Sequence, residues 1–256
     1  MVINLGPAGK SAAKSPPVFT YTGSYEYHED AAGDGGIVNW QIVFLSSGTL
    51  AFQRVVNAID VFIVDAGEPG QSGHWDGTTH FAASGGKGGN GGKAYTHSGV
   101  SVATNTAYQI VIGTSSTTAA NRVSSGFNKN ASSGSQKTGG AGGWANGQNQ
   151  GAAGGIGDNG VLSFGGAGDR SGYYPNYQYG AGGGGGGAKA ADGTYFAVSP
   201  GKGGSNGSGD GGAYNAKGGN ATKNSGSGGG GGGFYNNTDQ PGGTGGSGII
   251  IIRNAR

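Results

Sequence analysis

Gly182-Gly183-Gly184-Gly185-Gly186-Gly187 is an unbroken glycine run, and it has a twin in Gly228-Gly229-Gly230-Gly231-Gly232-Gly233. Glycine loses more backbone entropy on ordering than any other residue, so such a run stays disordered unless some interaction offsets the loss. The polyproline II conformation supplies one. It turns every three residues, rises about 3.1 Å per residue and makes no internal hydrogen bonds, so every N–H and C=O points sideways. Neighbouring glycine helices can then bond to one another. A helix touched on all three faces must be glycine throughout, because any Cβ would hold the next backbone away. Six glycines make roughly two turns and span about 19 Å. The two pure runs are therefore expected as inner members of a polyglycine II bundle, and the interrupted runs as outer members.

Glycine supplies 64 of 256 residues against 7 prolines, without a Gly-X-Y period, which excludes a collagen triple helix. Apolar residues are 33%, too few for an ordinary core at this length, so backbone hydrogen bonds must hold part of the chain. The composition taken alone also suits low-complexity disorder. Apolar strand patterns on both sides of the glycine region argue against that. A net charge of +2 with 11% charged residues gives no bulk attraction to nucleic acid or to an anionic membrane. Cysteine is absent, which removes disulfides and thiolate metal sites. No apolar run approaches a membrane span, and Met1 to Lys14 has no continuous apolar core. The expectation is a protein made in a host cytoplasm without a signal peptide and without membrane insertion.

Residues 1–23, with Pro16-Pro17, read as an N-terminal arm or attachment segment. Residues 24–138 read as mainly β-sandwich with a first glycine-rich excursion, 139–248 as the polyglycine II bundle with loop insertions, and 249–256 as the final sandwich strand and tail. Tyr25 and Tyr27, then Trp40, Ile42 and Phe44, alternate with polar neighbours, while Ile59 to Val64 is a buried strand by its β-branched content. Further strands are expected at Thr49 to Phe52, Ala94 to Val102, Tyr108 to Ile112 and Ile249 to Ile252. Strands bracketing the glycine region predict a β-sandwich from whose corners glycine strands leave and to which the last returns. Reversal at each insertion makes successive glycine strands antiparallel. Counting starts at Gly139, Gly151, Gly165, Gly180, Gly201, Gly226 and Gly242 gives an odd number between strands that should share one end. Either Lys217 to Ala221 is an additional segment, or Val161 to Phe164 does not return to the sandwich.

Four stretches in order, Trp40 to Leu50, Ile59 to Val64 followed by a glycine turn, Tyr108 to Gly113, and the close Gly245-Gly-Ser-Gly-Ile-Ile-Ile-Ile-Arg253, form a pattern. It resembles the glycine-rich domain of bacteriophage and prophage tail proteins over about residues 38 to 253. Asp65-Ala-Gly-Glu-Pro-Gly70 departs from it, with fewer consecutive glycines than the family leads one to expect. The plan is also similar to the extracellular region of anaplastic lymphoma kinase, a tumour-necrosis-factor-like sandwich interrupted by glycine helices. A third likeness is to the tip adhesins of T-even-type long tail fibres, which carry polyglycine sandwiches whose connecting loops contact the host surface. These resemblances imply an all-β fold, a TNF-like or jelly-roll β-sandwich with an inserted polyglycine II bundle, and no α-helix. They bring no catalytic residues.

Nor do the residues themselves suggest catalysis. The carboxylates are scattered, with no pair in an acid/base context. Gly9-Lys10-Ser11 lacks the upstream glycine of a phosphate loop, whose place is taken by Asn4. His74 and His80 with Asp76 match no metal-ligand spacing and read as solvated loop histidines. Gly154 to Asp158 and Gly165 to Asp169 approach a calcium nonapeptide, but in both the Asp arrives one residue early. No cofactor or metal is expected, and the chain is expected not to be an enzyme.

Aromatic residues cluster at the insertions. Arg170, Tyr173, Tyr174, Tyr177 and Tyr179 form one loop, and His74, Trp75, Trp144, Tyr214, Phe234 and Tyr235 sit at others. Tyrosine and tryptophan at loop tips give rigid amphipathic contact area; the alternative is that the rings cover glycine backbone from water. The expected function is a phage tail or fibre-tip adhesin that binds a bacterial surface receptor, a glycan or an outer-surface protein, through these loops. Its place would be the virion, beside other tail or capsid proteins, and a homotrimer is compatible. A purely structural virion component is the alternative. Ice binding fits less well, for want of a regular Thr or Ala ladder.

Overall fold

The computed structural model describes residues 17–33, 37–54, 56, 58–74, 85–127, 135–137, 179–189, 197–204, 207–236 and 238–254. The strands are β1 (Phe19–Tyr21), β2 (Tyr25–Gly33), β3 (Ile37–Phe44), β4 (Gly48–Phe52), β5 (Ile59–Val64), β6 (Ala94–Val100), β7 (Ala107–Ile110), β8 (Ser135–Lys137), β9 (Ala188–Lys189), β10 (Ala197–Val198), β11 (Phe234–Tyr235), β12 (Thr238–Asp239) and β13 (Ile249–Asn254). Among the described residues one helical turn, α1 (Ala119–Arg122), is the exception to an otherwise all-β architecture.

A three-stranded sheet, ordered β1-β4-β7, faces a six-stranded sheet, ordered β2-β3-β13-β5-β6-β8. Period-two alternation puts Trp40, Ile42 and Phe44 of β3, Ile59, Val61 and Ile63 of β5, and Ile250 and Ile252 of β13 between the sheets, against Leu50, Phe52 and Ile110. The intervening Val43, Phe62, Val64, Ile249 and Ile251 are also buried, on the opposite face of the larger sheet. Strand β13 is thus covered on both faces, which is why it reads as four consecutive isoleucines. The predicted arm ends sooner than residue 23. Phe19 and Tyr21 point toward the core, and β1 pairs with β4, Phe19 opposite Phe52 and Tyr21 opposite Leu50.

Three central strands run straight into the glycine region. β5 continues as a rod over 65–73, a rod over 85–93 leads into β6, and a rod over 240–248 leads into β13. The other described rods cover 180–187, 201–204, 207–213, 216–222 and 226–233; in chain order the eight are the first (65–73), second (85–93), third, fourth, fifth, sixth, seventh and eighth (240–248). The strand order β13-β5-β6 is handed on to the eighth, first and second rods. Asp65, Glu68 and Gln71 donate N–H bonds to Lys93, Asn90 and Lys87 of the second rod, and Gly67, Gly70 and Gly73 donate to Gly246, Gly243 and Gln240 of the eighth. Bonds every third residue are the signature of a threefold helix. No glycine within 181–187 or 227–233 has a positive φ.

The seventh rod shows why its run is pure. Gly228 and Gly231 donate to the third rod, Gly229 and Gly232 to the first, and Gly230 and Gly233 to the sixth, at 2.7–3.0 Å. Its carbonyls accept in turn from the fifth rod (Gly209, Gly212), the second (Gly86, Gly89) and the eighth (Gln240, Gly243). Three neighbours receive its protons and three others supply theirs, so the rod sits at the centre of a hexagon. A Cβ on any residue from Gly228 to Gly233 would meet a backbone carbonyl of the second, eighth or fifth rod well inside 3.0 Å. The third rod is buried along its whole length and bonds to the second, fourth, fifth and seventh.

Outer rods relax the requirement one direction at a time. In the second rod Gly85, Gly88 and Gly91 abut the third rod, and Gly86, Gly89 and Gly92 abut the first. Lys87, Asn90 and Lys93 fall on the third, outward row. The first rod needs glycine only at Gly67, Gly70 and Gly73, which abut the seventh. This explains the departure at Asp65 to Gly70: the segment is a complete rod with one packed row. Pro69 falls in the register whose N–H faces neither the second nor the eighth rod, so its missing donor costs no lattice bond.

Directions alternate without exception among the described rods, and Lys217 to Ala221 is an additional segment, part of the sixth, while Val161 to Phe164 lies outside the described residues. At the end away from the sandwich, β9 and β11 extend the third and seventh rods and pair in parallel, in a small sheet ordered β10-β9-β11-β12. On the bundle surface Lys202 meets Asp210 at 2.8 Å, with side chains 84% and 51% exposed. That ion pair and the Gly203 N–H hold the Asp210 carboxyl below its ordinary range, but solvent screening leaves it little weight in stability.

Candidate functional site

Alternation of the rods divides the molecule into a distal end and a sandwich end, and the four predicted contact residues that are described, His74, Tyr179, Phe234 and Tyr235, fall at both. At the distal end His74 closes the first rod and is exposed. Phe234 and Tyr235 follow Gly233, and Tyr214 caps the turn between the fifth and sixth rods. Tyr214 and Tyr235 have ring centroids 5.2 Å apart, at 56°. Phe234 is only 3% exposed and its N–H donates to Gly187 O at 3.0 Å, so it caps the bundle and offers no contact surface. Tyr235 is half-buried.

Tyr179 is a second correction. It stands at the sandwich end, just before the third rod, and is 2% exposed. Its ring packs edge-on against Phe62, centroids 5.6 Å apart, within the cluster on the outer face of the large sheet. Burying an aromatic surface there joins the third rod to the sandwich. The predicted contact residues Trp75, His80, Trp144, Arg170, Tyr173, Tyr174 and Tyr177 lie outside the described residues.

A cleft of about 480 Å³ opens at the junction of sandwich and bundle, lined among others by Asp65, Glu68, Asn90, Lys93, Tyr95 and Arg122. Sequence reasoning missed these residues. The available signal was the outward row of the second rod together with the charged residues of the first. Glu68 is the hub: Arg122 Nη2 lies 2.8 Å from its Oε1, and Asn90 Nδ2 donates to its Oε2 at 2.7 Å. Arg122 Nη1 in turn donates to Ser116 O at 2.7 Å, anchoring α1. Asp65 is 8% exposed and accepts the Ser124 N–H at 2.8 Å. Burial, then the charge and hydrogen bond of Asp65, push the Tyr95 phenol above its ordinary pKa, so it stays protonated as a donor through neutral pH. Among the described residues no group of three or more His, Cys, Asp or Glu is placed to hold a metal ion.

The family whose description is glycine-rich domain matches residues 45–255. No curated protein matches the chain.

Proposed function

We propose that this chain, which belongs to the glycine-rich domain family, is a non-enzymatic phage attachment protein whose rods present loops to a bacterial surface receptor. One observation carries this reading. The up-and-down alternation delivers the described residues His74, 188–189, 197–200, 214–215, 234–236 and 238–239 to the end farthest from the sandwich, on rods cross-linked by backbone hydrogen bonds. Loops on a rigid scaffold can vary without disturbing it. The sandwich end then faces other tail or capsid proteins of the virion, and a receptor glycan or outer-surface protein meets the distal loops.

A structural role in the virion, as a capsid decoration or head fibre, is the second reading. It is favoured by Phe234 and Tyr179, two of the expected contact rings, which are both turned inward. Labelled protein binding to cells of a susceptible bacterium separates the two. A chain with 75–84 and the β11–β12 turn replaced by serine-glycine linkers should keep its circular dichroism and lose most of that binding. Binding that survives the replacement would favour the structural reading.

A further inference from the structure

The junction cleft lies at the opposite end from those loops and has a chemistry of its own. Its volume, about 480 Å³, is within the roughly 300–1,000 Å³ of small-molecule sites. Two carboxylates, Asp65 and Glu68, and two cations, Lys93 and Arg122, line it, so their charges cancel. A ligand of either sign gains nothing from the net field. Both carboxylates are also matched by donors, Asp65 by Ser124 N–H and Glu68 by Arg122 and Asn90, which leaves no bare oxygen cage for a cation, while each carboxylate, with about four lone-pair sites, keeps room to accept from a hydroxyl.

We infer that the cleft binds a neutral saccharide unit. A hydroxyl both donates and accepts, and the cleft sets donors (Asn90 Nδ2, Arg122, Lys93 Nζ) beside acceptors (the Glu68 and Asp65 carboxylates) along one wall. Ala66, Val123 and the Tyr95 ring supply apolar lining of the kind that the C–H face of a pyranose covers. The polar wall is fixed in advance. Asn90, Glu68, Arg122 and the Ser116 carbonyl form one hydrogen-bonded chain, so little side-chain freedom remains to be lost on binding. Lys93 is exposed and forms no ion pair among the described residues, which leaves its ammonium for a hydroxyl.

Titrating the full chain with methyl glycosides of glucose, galactose, mannose and N-acetylglucosamine, and with glucuronate, while following backbone amides by NMR tests this. At least one neutral glycoside should shift Asn90, Gly91, Gly92, Tyr95 and Arg122 saturably, and more tightly than glucuronate does. Asn90→Ala should weaken that binding roughly tenfold, the loss of one hydrogen bond within a charged network. Unchanged amide positions for Gly228 to Gly233 would show that the variant is folded, and Lys93→Ala, at an exposed outward position, serves if it is not. No shift with any neutral glycoside, tighter binding of glucuronate, or full affinity in the folded variants would overturn the assignment. The site does not depend on the distal loops: glycoside shifts retained in the loop-replaced chain, whatever its cell binding, would show the two to be separate.

Discussion

Gly231→Ala should destabilise the protein by about 4 kcal/mol or more, a large part of what holds a domain together. The added methyl would meet the Gly86 carbonyl of the second rod, which cannot move alone. Gly86 N donates to Gly232 O, and Gly231 N donates to Gly184 O, so displacing one rod breaks bonds to two. Overpacking costs about 1–3 kcal/mol, and each stranded buried backbone group about 1–3 more. Alanine restricts the unfolded chain, but that gain is only about 0.4–1 kcal/mol. The sum has one sign. Thr244→Ala, on an exposed outward row of the eighth rod, is the matched control and should stay within about 0.5 kcal/mol. Urea unfolding of the two variants measures both, and similar losses would mean that rod position does not govern what a residue may be.

The second large effect is expected in the sandwich. Asp60 of β5 and Arg253 of β13 are each 3% exposed; Arg253 Nε is 3.3 Å from Asp60 Oδ2, and Oδ1 accepts the Gly99 N–H at 3.0 Å. Breaking a buried ion pair by removing one member costs about 3–5 kcal/mol. Asp60→Ala should lose that much. Replacing both, as Asp60→Ala with Arg253→Met, should recover much of it, because desolvation of the second charge disappears as well. A double-mutant cycle reads the coupling directly. Additive losses would mean that the two charges do not sense each other.

Much of this architecture is legible in the glycine spacing once the threefold period is applied. Gly228 to Gly233 has no gaps because the rod has six neighbours. Gly85-Gly86-Lys87-Gly88-Gly89-Asn90 has one gap in three because the rod has a free row, and Gly67, Gly70 and Gly73 are sparse because the first rod packs only one row inward. Counting consecutive glycines misjudges the first rod, whereas counting every third residue identifies it. The aromatic positions were less readable. Tyr179 and Phe234 adjoin glycine runs just as a loop-tip residue would, and only the direction of the rod shows whether the next surface is water, sheet or bundle end. The junction cleft left no local motif, since its polar residues come from the first rod, the second rod, β6 and α1. They meet because β5 and β6 are adjacent in the sheet, a fact of pairing that spacing along the chain does not carry.

Amide hydrogen exchange at Gly228 to Gly233 tests the lattice most directly. Each of these N–H groups bonds to another rod, so all six should exchange only on global unfolding and share one large protection factor. Exchange of these six at the rate of an unstructured glycine peptide would show that the rods are not cross-linked, and the scaffold that positions both the distal loops and the cleft would be gone.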